Sequence, residues 1–110
     1  MTEVKLVEFL VEFEVKVPGG APANEVEARN LAEASAAARL VEKGHLLRLW
    51  KPPAAPGKTK ALGLYYTDSE KQLTDLLRAL PLYDWMNITV TPLEAHPNDP
   101  QPPLAGSAAR

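Results

Sequence analysis

Val7, Phe9, Val11, Phe13, Val15 and Val17 occupy alternate positions, with Glu8, Glu12, Glu14 and Lys16 between them. A period of two over that length predicts a strand with one buried face. Leu10 breaks the polar register, so part of the other face is expected to be covered, by a partner subunit. Pro18-Gly19-Gly20 ends the strand. The pattern then turns helical. Asn24 is the predicted N-cap, and Glu25 and Glu27 suit the positive end of the helix dipole. Val26, Leu31, Ala34, Ala37, Ala38 and Val41 run along the helix, and Gly44 sits where a left-handed C-cap glycine belongs. The many alanines let such a helix lie close to a sheet.

His45 to Lys51 reads as a short strand, with Leu46, Arg48 and Trp50 on one face and His45, Leu47, Leu49 and Lys51 on the other. The next stretch, Pro52-Pro53-Ala54-Ala55-Pro56-Gly57, is too rich in proline for a central strand and predicts a loop. Leu62, Leu64 and Tyr66 alternate in a third strand from Lys60. Thr67 to Glu70 has capping-box spacing, with Thr67 as cap. Leu73, Leu76, Leu77 and Leu80 behind it form one buried helical stripe, which Pro81 stops. Met86, Ile88 and Val90 alternate in a fourth strand. The order predicts an α+β, ferredoxin-like βαββαβ domain over residues 1–97: an antiparallel four-stranded sheet with two helices on one face. Residues 98–110 read as a Pro/Ala-rich tail, either disordered or laid over another subunit.

Composition narrows the functional classes. A chain of 110 residues suits one domain, small enough to gain from association. The net charge of −2, with both signs scattered, gives no basic run for nucleic acid. The absence of cysteine excludes disulfides, thiolate metal sites and cysteine nucleophiles. No signal-peptide core and no stretch of transmembrane length is present, so a cytoplasmic protein without a membrane partner is expected.

Gly44-His45-Leu46-Leu47-Arg48-Leu49-Trp50-Lys51, then Leu80-Pro81-Leu82, Trp85-Met86 and His96-Pro97, occur in that order. The ordered set resembles the muconolactone delta-isomerase family, from the first strand to His96-Pro97. The resemblance implies the same ferredoxin-like fold, in a dimeric-barrel type homo-oligomer built of dimers, often a decamer, with the C-terminal segment over a neighbour. It implies a proton shift within an unsaturated lactone, muconolactone or a close analogue, in aromatic-compound catabolism by the β-ketoadipate route. No cofactor is implied, because the lactone carbonyl is the electron sink. Such a site needs a base of tuned pKa, donors for the enolate oxygen and a cation for the substrate carboxylate.

Glu33 aligns with the glutamate of the family's first helix and interrupts a run of small apolar residues. Partial burial there would raise its pKa toward that of a general base, whereas a solvated Glu33 would pair with Arg29. His45 is a second proton-transfer candidate, displaced from the family's histidine position, where Arg48 stands; helix capping is its other reading. Arg48 suits a clamp on a substrate carboxylate, or a salt bridge to Glu12 or Glu14, with Lys51 sharing the task or simply exposed. Trp50 and Trp85 suit apolar walls, and Tyr65 or Tyr66 a donor hydroxyl, Tyr66 being the one placed in the site. His96 is expected to fix the exit of the tail. Ala34, Ala61, Gly63 and Thr74 stand where the family carries lysine, asparagine, serine and histidine, so the site is more apolar than the family pattern. A non-catalytic ligand-binding or assembly protein on the same scaffold remains the alternative, and buried Glu33 and Arg48 facing one cavity would favour the enzyme.

Overall fold

The computed structural model describes residues 6–56 and 58–101. The elements are β1 (Val7–Val15), α1 (Ala23–Glu42), β2 (Leu46–Trp50), β3 (Thr59–Thr67), α2 (Glu70–Arg78), a short 3-10 turn (Tyr83–Trp85) and β4 (Met86–Leu93). Every pairing in the four-stranded sheet is antiparallel, in the order β2-β3-β1-β4. The ferredoxin-like arrangement is therefore present. The C-terminal stretch 102–110, most of the expected tail, lies outside the described residues.

One sheet face carries both helices. Phe9, Val11 and Phe13 of β1, Tyr65 of β3 and Leu46 of β2 pack with Ala36 and Leu40 of α1 and Leu73, Leu77 and Leu80 of the α2 segment. Leu73 and Val11 are fully buried. The leucine stripe of α2 is as its spacing predicts, with Leu76 at its half-buried margin. In α1 the buried stripe is narrower than expected: only Ala36 and Leu40 are buried, while Leu31 and Val41 are 65% and 57% exposed. Only this thin line of α1 is packed into the core.

Several local expectations shift by a residue or two. The N-cap of α1 is Pro22, whose carbonyl accepts from Glu25 and Val26 N–H, while Asn24 Oδ1 takes the N–H of Glu25. Thr67 does not cap α2. It ends β3, is fully buried, and donates Oγ1–H to the Ser69 carbonyl. Ser69 caps instead, accepting from Gln72 N–H, and Gln72 reaches back to the N–H of Asp68. The end of α1 is as predicted. Gly44 has φ +78°, its N–H donates to the Val41 carbonyl and that of His45 to Leu40, a Schellman closure.

Register decides which strand residues reach the helices. Leu10 pairs with Leu64 and Glu12 with Leu62, so the alternating leucines of β3 lie on the face away from the helices. The inner register of β3 is Ala61, Gly63 and Tyr65. In β2, pairing passes from Leu46 opposite Tyr65 to Arg48 opposite Leu64, an irregularity that leaves Leu47 extra. One extra residue flips every later side chain. Leu46 and Leu49 thus share the inner face, and Arg48 and Trp50 turn to the outer one. This corrects the simple alternation that grouped Leu46 with Arg48 and Trp50.

Candidate active site

Between α1, the inner sheet face and the Leu80–Leu82 turn lies a cavity of about 310 Å³. Its walls are almost wholly apolar, from Phe13, Leu46, Leu49, Tyr65, Leu80 and Met86, with Ala34 and Ala37 on the helix side. Two polar residues of α1, Asn30 and Glu33, also line it.

Glu33 is half-buried on this wall. Its Oε1 accepts the N–H of Leu82 at 3.0 Å. Loss of water raises its carboxyl above the ordinary value of 4.5, and the Leu82 hydrogen bond opposes that rise. Arg29, one turn earlier, does not pair with it. The Arg29 guanidinium lies 4.3 Å over the Trp85 ring, donates to the Pro81 carbonyl at 3.1 Å and approaches Glu25 at 3.5 Å. Side chains on successive turns of α1 therefore grip consecutive backbone groups, Pro81 C=O and Leu82 N–H. The Leu-Pro-Leu break presents those groups outside any helix.

Tyr65 faces Glu33 across the site and is 3% exposed. Burial, and then the Glu33 charge, push its hydroxyl far up, so it stays protonated and remains a donor. Its ring lies across Gly63, where a Cβ would stand 2.7 Å from Tyr65 Cε1. Phe13 packs beside it, with ring centroids 6.2 Å apart and tilted by 57°.

Of the residues assigned to catalysis or substrate binding from sequence, Glu33 alone lines the cavity. Arg48 and Trp50 sit together on the outer face, the guanidinium 5.0 Å over the indole, and Arg48 makes no ion pair among the described residues. Lys51 is exposed beyond the end of β2. Tyr66 is buried on the outer face, opposite Glu8. His45 Nδ1 lies 3.0 Å from the Tyr66 carbonyl; because that oxygen only accepts, the ring carries its hydrogen on Nδ1 and is tied to the helix-strand junction. His96 Nδ1 accepts the N–H of Asn98 in the turn after β4. Asn30 and Tyr65 line the cavity, and Tyr66 does not. The mid-strand Gly63 was the available signal, since such a glycine marks a close approach.

A sequence profile of the muconolactone delta-isomerase family matches residues 7–99. This chain belongs to the muconolactone delta-isomerase family. It is 30% identical over 90 residues to a muconolactone delta-isomerase of Cupriavidus pinatubonensis, covering 82% of this chain and 95% of that protein. It is 31% identical over 93 residues to muconolactone delta-isomerase 1 of Acinetobacter lwoffii, with 82% and 91% covered. A crystal structure of muconolactone isomerase superposes with a TM-score of 0.75 at 27% identity, over 86% of this chain and 96% of that one. Family membership supports an isomerase role. No described helix is long and apolar enough to cross a membrane.

Proposed function

We propose that this protein moves a proton within an unsaturated γ-lactone, muconolactone or a close analogue, in the catabolism of aromatic compounds. One observation carries the reading: a half-buried carboxylate on the wall of an apolar-lined cavity, with one oxygen held by a backbone N–H and its pKa raised. That arrangement suits a general base more basic than an ordinary carboxylate.

The chemistry needs little else. Glu33 takes the proton from the ring carbon next to the ring oxygen. The released electron pair runs through the double bond to the carbonyl oxygen and gives a dienolate. Tyr65 O–H and the Asn30 amide supply hydrogen bonds to the oxygen that gains charge. The proton then returns from Glu33 to the carbon beside the carbonyl, the double bond moves, and no net charge or redox change remains. The lactone carbonyl serves as electron sink, so the scheme uses no cofactor. We place the catalyst in the cytoplasm as a homo-oligomer.

Turnover of muconolactone, followed by ultraviolet absorbance, tests the reading, with Glu33→Gln as its control. The native chain is expected to convert the lactone, and the variant to be slower by about a hundredfold or more. Equal rates would take the base role from Glu33.

A further inference from the structure

Among the described residues, the cavity has a base and donors but no cation. We infer that the preferred substrate is an uncharged unsaturated lactone with an apolar substituent, not a lactone carboxylate. The inference rests on the isomerase reading above and specifies its substrate class.

Every described residue lining the cavity is apolar or neutral except Glu33, whose charge is negative. The basic side chains around it are engaged or directed elsewhere. Arg29 is committed to Glu25, the Pro81 carbonyl and the Trp85 ring. Arg48 lies over Trp50 on the outer face, and Lys60 pairs opposite Glu14 on that same face. Lys58 is exposed before β3 begins and is not part of the wall. A substrate carboxylate entering here would give up its water and find no counter-charge. It would also stand beside Glu33, which must be ionised to act as the base, and like charges in one site oppose each other's ionisation. A methyl, alkyl or ester substituent meets none of these costs. It fits walls made by Leu46, Leu49, Leu80 and Met86, in a volume of about 310 Å³ that holds a five-membered lactone ring and a short side chain.

Ala34 gives the inference a second handle. It lies next to Glu33, lines the cavity and is exposed, so a longer side chain there extends along the opening without entering the packed core. The test compares kcat/KM for muconolactone, muconolactone methyl ester and γ-methylbutenolide, each followed by absorbance and by proton exchange into deuterated buffer. The ester is expected to exceed the free acid by at least about tenfold, with γ-methylbutenolide also turned over. Ala34→Lys is expected to shrink that ratio by favouring the acid. A free acid turned over as well as the ester, or better, overturns the inference and leaves the isomerase reading intact. A ratio unmoved by Ala34→Lys also overturns it, because the substituent then lies away from this wall. Failure to convert any of the three lactones overturns both.

Discussion

Adding one methyl group at Gly63 probes how the site is built. The new Cβ would stand 2.7 Å from Tyr65 Cε1 and 3.3 Å from Cδ1, with Leu49 Cδ1 at 3.5 Å. An unstrained contact needs about 3.5 Å or more, so the Tyr65 ring must give way by roughly 0.8 Å at its edge. That ring is 3% exposed and packed on Phe13, so it gives way toward the cavity it lines and leaves its packed position. Overpacking of this kind costs about 1–3 kcal/mol. The lower backbone entropy of alanine in a strand returns about 0.5–1 kcal/mol. The net expectation is a loss of about 1 kcal/mol, or roughly 4–8 °C in Tm for a chain of this size. Urea denaturation of the native chain, Gly63→Ala, Tyr65→Leu and the double variant reads the coupling directly. In the Tyr65→Leu background, Gly63→Ala should cost little, because the atom it strikes is gone. The displaced hydroxyl should also lower turnover in Gly63→Ala. A Gly63→Ala protein as stable as the native one, or the same penalty with and without the Tyr65 ring, would refute the argument.

The remaining expectations concern how α1 is fastened and closed. Glu33→Ala leaves the Leu82 N–H without its acceptor and should cost about 1–3 kcal/mol by chemical denaturation, whereas Glu33→Gln keeps a carbonyl there and should cost less. Burial raises the Glu33 pKa, so its favourable contribution is complete below the unfolded value and fades as pH rises through the folded one; the stability of Glu33→Gln relative to the native chain should therefore improve from about pH 4 to neutrality. Arg29→Met, which keeps apolar contact with Trp85 but loses the charge and the Pro81 bond, should lower stability by about 1–2 kcal/mol in the same assay. Gly44→Ala forces a side chain onto φ +78° and should cost about 1–2 kcal/mol by thermal denaturation, although nothing crowds the added carbon.

Much of the scaffold was legible because single periods are hard to misread. The valine and phenylalanine alternation of β1, the leucines of α2 and the Gly44 closure each have one physical solution. β3 was harder, because both of its registers carry apolar residues. Leu62, Leu64 and Tyr66 look like the buried stripe, yet the sheet turns Ala61, Gly63 and Tyr65 to the helices. In β2 the irregularity between Leu46 and Arg48 was invisible to a period-two reading, and it alone sends Arg48 and Trp50 to the outer face. Glu33 could be found as a charge among small residues on a helix. Its anchor could not, because the Leu82 N–H is a backbone group 49 residues away and no side-chain pattern announces it.

The proposed base is Glu33, ionised and partly withdrawn from water. Its most direct test is kcat/KM against pH on a lactone that the enzyme converts. The expected acid limb inflects above the ordinary glutamate value of 4.5 and disappears in Glu33→Gln along with most of the rate. An inflection at the ordinary value, or a limb that survives the substitution with its rate intact, would contradict it.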